Sequence, residues 1–577
     1  MIRRPLIDIL SDTAYQQRRI EMRNRLFMFF LTAFCSISCA GDLTITPSTR
    51  YQTIEGIGAA LAMYEGWIPS HPYKTEIYDT LFRWTGISLL RFGNWLQDTL
   101  ADISGDSSIA VELRNRNPYA KILVSSWSPP NYLKANNNSS GTVSPNSLKK
   151  VNGKFVYDQF GHWWKSSIRR YNASKIKPDY ITIQNEINWN PDYWSCLFNP
   201  TENDTIAAFA PALRAVHDSI ATLSGHPQIL APEVLGTAYN GVENYAVTLD
   251  TSTFYGWAFH FYGSGDYNKP PSFISNSTAS FSNLMKTIRY KPRFMTEYCN
   301  LGSSETAVNT LADPDTAKDW LNLAWIMQES FTGLNLTGWA FWDLAWGNTG
   351  NMVAVFPGWD RSSWPSTCPH GYFVHRTLPA LGQYSRFIRG GWTRIDGSAA
   401  DTSLKVSAFL SPNGDSISVV IVNPGYSPVT FTPKIGGVPN AGGAVWTTSP
   451  TQALEKSGTW ASGQNLAVAA RTVTTITGNL GSVSSIDERE KPWMYPGARM
   501  TVKSDRVILR IGQSVQGTIE ILDLAGHVLQ RHSTGFLPAG AGEVPIGALP
   551  GGMCIVRLVS KTGICIQKFV RVAPRLE

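Results

Sequence analysis

The sequence predicts an α/β protein: a TIM (β/α)8 barrel, a fused β-sandwich side domain and a further small all-β domain at the C-terminus. Three observations carry this reading. Eight strand-like segments between residues 53 and 344 are separated by helix-like ones, the pattern of a parallel sheet with crossover helices. After about Gly382 the texture changes to short alternating strands punctuated by Gly, Pro and Asn, which reads as a sandwich. Beyond a linker-like stretch at 481–499, a second and shorter alternating set begins.

Taken in order, residues 1–40 read as an export signal. Arg23-Asn24-Arg25 precedes the apolar run "LFMFFLTAF", and Ser38-Cys39-Ala40 fits cleavage before Gly41. The 21 residues ahead of Met22, with no long apolar run, are unusual for a signal, and an over-extended start would explain them. Lipidation at Cys39 is the lesser alternative, because Ser36-Ile37-Ser38 is a poor lipobox. The barrel is expected over 41–382, its first residues able to join the side domain. Its strands are "TIEGIGAAL" (53–61), "ISLLRFG" (87–93), "KILVSSW" (121–127), "YITIQNE" (180–186), "QILAPEV" (228–234), "WAFHFYG" (257–263), "RFMTEY" (293–298) and "TGWAFWDL" (337–344). Between them, "TEIYDTLFRW", "FGHWWKSSIRRY", "IAAFAPALRAVHDSI" and "AKDWLNLAWIMQES" repeat apolar residues at helical spacing and are expected on the barrel exterior. The side domain is expected over 383–480, with strands such as "LKVSAFLS", "SISVVIVNP" and "TVTTITG", and the last domain over 500–577.

Composition narrows the function. Aromatic residues make up 12% of the chain and charged residues only 16%, a balance suited to an aromatic-lined cleft rather than to disorder. The net charge is +7, but six arginines and three acids fall within residues 1–40, so the remainder is only weakly basic and no nucleic-acid partner is implied. No other stretch is long and apolar enough to span a membrane. Five of the seven cysteines follow the leader, an odd number, and neither CxxC nor a His/Cys cluster occurs, so no metal is expected. Cys554 and Cys565 flank a hairpin turn at Ser560–Gly563 that places Cys554 opposite about residue 569, so no disulfide is expected between them.

In a TIM barrel, chemistry sits where strands end at the C-terminal face. Arg91 closes the second strand, Trp127 the third, Asn185 and Glu186 the fourth, Glu233 the fifth, His260 and Tyr262 the sixth, Glu297 and Tyr298 the seventh, and Trp342 and Asp343 the eighth. Two glutamates on strands four and seven face one another across the mouth, the pair that glycosidic bond cleavage requires. Arg91 beside Glu297 favours a charged nucleophile, leaving Glu186 to donate the proton. Asn185 suits a sugar hydroxyl, and Trp127 and Trp342 offer faces on which pyranose rings stack.

The blocks "YQTIEGIGAA", "ISLLRFGN", "ILVSSWSPPNYLKAN", "YITIQNEINW…DYWSCLFNPTE", "FHFYG" and "RFMTEY" resemble successive blocks of glycoside hydrolase family 30. "YSRFIRGGWTRID", "VSAFLSPNGDSISVVIVN", Trp446 with "TTS" after it and "RTVTTITG" resemble the side domain of its bacterial glucuronoxylanase branch. The resemblance covers about residues 44–479. It implies a retaining endo-β-1,4-xylanase with Glu186 as acid/base and Glu297 as nucleophile, and with the leader the expectation is a secreted, cofactor-free monomer acting on plant cell-wall xylan. Arg91, Trp127, Asn185, His260, Tyr262, Tyr298 and Trp342 are the expected substrate contacts, with a structural role the alternative for His260; Glu233 is expected to support the site, and Asp343 to line the cleft or support it.

Two departures bear on substrate. "NEIN" stands where many relatives have Asn-Glu-Pro, and "FWDLAWGNTGN" lacks the Arg-bearing stretch with which that branch grips glucuronate. Arg361 in the following loop is the candidate substitute, and a solvated loop role is the simpler one. The alternatives are another family 30 activity, β-1,6-glucanase or glucosylceramidase-like, and a non-catalytic glycan-binding protein. "DLAGHVLQ", "LPGGMCIVRL" and "KFVRV" resemble C-terminal sorting domains that carry bacterial proteins across the outer membrane.

Overall fold

The computed structural model describes residues 41–62, 66–97, 102–236, 241–262, 291–299, 317–345, 347, 352–438 and 441–480, and the strands between 499 and 571. Residues 1–40, expected to be an export signal, and nearly all of the expected linker at 481–499 lie outside them. The chain divides into two compact units, with the boundary between Val483 and Ser484.

In the first unit, β1 (Gly41–Thr53) belongs to the side sheet, and the barrel begins with β2 (Gly56–Ala60). β3 (Leu89–Asn94) and β4 (Lys121–Ser126) come next, then a two-residue hairpin, β5 (Lys150–Val151) with β6 (Lys154–Phe155). The remaining barrel strands are β7 (Tyr180–Thr182), β8 (Gln228–Val234), β9 (Gly256–His260), β10 (Arg293–Glu297) and β11 (Gly338–Phe341). All eight expected barrel strands are present, and they close in parallel in chain order from β2 to β11. Gly58 is where β2 and β3 approach: a Cβ there would lie 1.9 Å from the Leu89 carbonyl oxygen.

Expected helices are found at Tyr157–Ala173, Phe209–Ile220 and Ala317–Thr332. "TEIYDTLFRW" forms one α-helical turn, Lys74–Tyr78, that widens to π geometry over Asp79–Trp84. A helix at Ser104–Arg116 was not among those expected. Its sequence is mostly polar, and only Asp106, Ile109, Ala110 and Leu113 are buried, too narrow a stripe to stand out.

The barrel interior is layered. Leu89, Leu123, Tyr180, Leu230, Ala258, Phe294 and Ala340 form an apolar plug, one residue from each of seven strands. Below it Glu55 accepts hydrogen bonds from Lys121 (2.7 Å), Tyr180 (2.8 Å) and Tyr255 (2.6 Å). Side chains alternate along a strand, so residues two places further on also point inward. Those are Arg91, Ser125, Thr182, His260 and Trp342, and the layer above the plug is therefore polar.

The side sheet contains β1 and strands from β14 (Thr393–Ala399) to β21 (Thr472–Asn479), nine in all, with β1 between β14 and β17 (Val429–Ile435). The first described residues thus join this domain. In β16 (Ser416–Asn423), Ile417, Val419 and Ile421 enter the domain's own core while Val420 and Val422 enter the barrel's, which is why "SISVVIVN" reads as an unbroken apolar run.

The second unit holds a three-stranded and a four-stranded antiparallel sheet. In the latter, β27 (Gly552–Ser560) and β28 (Gly563–Arg571) pair with Cys554 opposite Phe569 and Cys565 opposite Leu558, the register expected from the turn. No described helix is long and apolar enough to cross a membrane.

Candidate active site

Arg91 organises the polar layer. Completely buried, it donates from Nη1 to Glu297 Oε2 at 2.6 Å, from Nη2 to Asn185 Oδ1 at 2.6 Å and from Nε to Ser125 Oγ at 2.9 Å. Nη2 also lies 3.3 Å from Glu233 Oε1. The planar five-donor fork lets one side chain order groups from four strands or strand ends.

Each glutamate reaches this layer by a departure from regular strand geometry. β7 stops at Thr182, short of the expected Glu186, and the chain turns at Ile183–Asn188. Glu186 has φ 45, a left-handed conformation that costs about 1–3 kcal/mol and recurs at functional sites. Asn185 N–H bonds the Ser126 carbonyl at 2.6 Å and anchors the turn. Glu233 has φ 61 at a bulge between Pro232 and Val234, and a second register shift, between Met295 and Glu297, sets Glu297 inward in place of Thr296.

Glu186 accepts from Tyr193 Oη on Oε2 at 2.7 Å and meets His260 Nδ1 at Oε1, 3.1 Å away. Glu297 accepts from Tyr262 Oη on Oε1 at 3.1 Å, besides Arg91. Oxygens of Glu186 and Glu297 and a nitrogen of His260 all lie within 4.8 Å of one another. Glu233 is wholly buried; it accepts from Thr182 and, at 3.3 Å, from Ser125, and sits 3.7 Å from His260 Nε2.

Three carboxylates thus face two cationic side chains, and this sets the electrostatics. Burial by itself raises Glu233, but Arg91, His260 and Thr182 hold it below the ordinary carboxylate range. Burial would lower His260, but Glu297, Glu186 and Glu233 outweigh it and raise the imidazole to about 9. Burial pushes Glu297 up and the Glu186 charge adds to this, against His260 and Arg91. The net direction for Glu297 is upward, because desolvation and the neighbouring negative charge outweigh the two cations. Arg91 stands where the sequence placed it, but it does not by itself offset the desolvation of Glu297.

Glu186, His260 and Glu297 could offer three ligand atoms to a cation. Arg91 is already paired with one of these carboxylates.

A row of indoles borders the layer. Trp127 lies 5.0 Å from Trp95 and 5.5 Å from Trp342, and Trp95 meets Trp194 edge-on at 5.4 Å. Arg91 sits 4.6 Å over the Trp127 ring, which is only 4% exposed. Trp127 therefore backs the wall, and the partly exposed Trp342 and Trp95 present the more open surface. Gly93 is needed for this, since a Cβ there would lie 2.3 Å from Trp95 Nε1.

Of the expected site residues, Arg91, Asn185, Glu186, His260, Tyr262, Glu297, Trp127 and Trp342 come together. Tyr298 does not. It is fully buried in the barrel core, 5.9 Å from Phe261 and 6.4 Å from Trp339, because the residue after an inward-facing Glu297 points out of the barrel. Asp343 is buried, and Arg361 lies over Trp364, 5.6 Å from its ring. Sequence reasoning missed Tyr193, Trp95, Ser125 and Thr182. The last two are predictable from period-two alternation with Leu123 and Tyr180; Tyr193 lies on a loop with no such signal.

No protein-family model matches the chain. An endo-1,6-β-D-glucanase of Neurospora crassa is 29% identical over 172 residues, which is 24% of this chain and 35% of that protein, so the chain spans about a third of that relative's length. The structure is similar to that of a glycoside hydrolase family 30 subfamily 8 xylanase of Clostridium acetobutylicum, with a TM-score of 0.55 and 21% identity over 76% of this chain and 99% of the other. It is also similar to an endo-β-1,6-glucanase, with a TM-score of 0.55 and 16% identity over 77% and 95%. The likeness to these structures is one of fold. The chain thus has the TIM-barrel fold with a fused side sheet, and a pair of buried glutamates at the barrel mouth. The shared features are the closed eight-stranded barrel and the fused side sheet.

Proposed function

We propose that this chain is an exported, retaining endo-β-1,4-xylanase in which Glu297 attacks the anomeric carbon and Glu186 protonates the departing oxygen, then activates water. The observation that carries retention is the separation of the two carboxylates, whose oxygens come within 4.8 Å. Retaining enzymes place them about 5–5.5 Å apart, whereas inverting ones leave about 6.5–9.5 Å for a water. Glu297 is aimed by Arg91 and Tyr262, and Glu186 by Tyr193 and His260, so each reacting oxygen is held before substrate arrives. Asn185, fixed through its oxygen by Arg91, keeps its amide N–H groups for a sugar hydroxyl.

A second reading, endo-β-1,6-glucanase, is favoured by the name of the curated relative. Products released from linear xylan, glucuronoxylan, arabinoxylan and β-1,6-glucan distinguish the two. Xylo-oligosaccharides of retained configuration support the first; cleavage of β-1,6-glucan alone replaces it with the second. Glu186→Gln and Glu297→Gln should each abolish reducing-sugar release on the true substrate, and full turnover by both variants would refute the mechanism.

A further inference from the structure

A groove of about 790 Å³ opens where the bottom of the barrel meets the side sheet. Its barrel wall comes from the segments that precede β3 and β4, Gly86 and Asn117–Tyr119, so it lies at the strands' N-terminal ends, opposite Glu186 and Glu297. Its other wall includes Gly442, Gly443 and Trp446 of β18 (Gly442–Thr448) and Gly478 of β21.

The lining carries four arginines, Arg83, Arg116, Arg386 and Arg389, and no acid. Arg83 and Arg116 are paired from behind by Asp79. Arg386 and Arg389 have no carboxylate partner among the described residues. Both instead lie against rings: the Arg386 guanidinium is 4.5 Å from the Trp446 ring centre, and that of Arg389 is 5.3 Å from Tyr119, which is 56% exposed. A ring contact leaves the guanidinium N–H groups for a planar anion, and that fork can pair bidentately with a carboxylate.

We propose that this groove is a second, non-catalytic carbohydrate site that binds a polysaccharide through carboxylates on its sugars. The aromatic edges take the apolar sugar faces and Arg386 and Arg389 take the uronate groups. This rests on reading the protein as a polysaccharide hydrolase, but it requires no acidic sugar at the catalytic mouth. An anchor on the opposite face lets the enzyme hold a decorated chain while cleaving an undecorated one.

The test uses the full chain carrying Glu297→Gln, so that no probe is cut. Affinity for glucuronoxylan and for neutral arabinoxylan is measured by titration calorimetry with and without Arg386→Gln/Arg389→Gln. Loss of two charge-assisted contacts should weaken glucuronoxylan binding about tenfold or more and leave arabinoxylan within twofold. Arg389→Lys, which keeps the charge but not the fork, should lose part of the affinity. In the Glu297 enzyme, the double Gln variant should keep its kcat/KM on short neutral oligosaccharides and its Tm. Unchanged glucuronoxylan binding, or an equal loss on both polymers, would overturn the proposal. So would displacement of glucuronoxylan by inorganic phosphate at equal charge, since that marks a general anion patch. Failure of the catalytic reading would show instead as turnover surviving Glu186→Gln and Glu297→Gln.

Discussion

Arg91 Nη1 lies 2.6 Å from Glu297 Oε2, a buried ion pair between the second and seventh barrel strands. The same guanidinium holds Asn185 and Glu233, so its removal leaves two carboxylates buried without their cation. Arg91→Met should cost about 3–5 kcal/mol of stability, measured by denaturant unfolding, and reduce kcat/KM by at least about 100-fold. Arg91→Lys should recover part of the stability and little of the activity, because a point charge cannot serve Glu297, Asn185 and Ser125 together.

Tyr193 sets Glu186 through one hydrogen bond at 2.7 Å from a ring that is 42% exposed. Tyr193→Phe should therefore leave Tm within a degree or two. A hydrogen bond is worth about 0.5–1.5 kcal/mol, so kcat should fall by up to about 10-fold. The loss should be small on aryl glycosides whose leaving group needs no proton; an equal loss on both substrates would place Tyr193 outside acid catalysis.

His260 couples the site to pH. Its folded-state value of about 9 exceeds the ordinary 6.5, so its contribution to stability is complete below about pH 6.5 and is lost as pH rises through about 9. Tm should decline across that window, and His260→Asn should flatten the decline. On the acid side, Glu297 titrates above the ordinary carboxylate value of 4.5, so the acid limb of kcat/KM should lie above pH 4.5.

Tyr298 separates packing from substrate contact. Tyr298→Ala should cost about 3–5 kcal/mol of stability through the cavity it leaves in the barrel core. Among molecules still folded at low temperature, KM should be unchanged. A raised KM with normal stability would return Tyr298 to the cleft.

Much of this was legible in the chain. Two periodicities, two for strands and 3.6 for helices, locate the barrel, and carboxylates at strand ends locate the mouth. Legibility fails where a strand ends early or carries a bulge. "YITIQNE" reads as seven residues of strand, yet β7 has three, and Glu186 arrives on a left-handed turn. A bulge inverts the inward and outward sense of every residue beyond it, so alternation alone could not separate Glu297 from Tyr298. Tyr193 escaped because loop conformation depends on the surfaces the loop packs against.

The sequence by itself determined the barrel, its fused sheet and the two glutamates, because each is written in local periodicity and in which residue types end each strand. Tertiary structure alone decided that Arg91 binds Glu297, Asn185 and Glu233 at once, that oxygens of Glu186 and Glu297 come within 4.8 Å, and that an arginine-lined groove opens on the opposite face. Those relations join residues 94 to more than 300 positions apart, and only closure of the barrel and docking of the sheet bring them within reach of short-range forces.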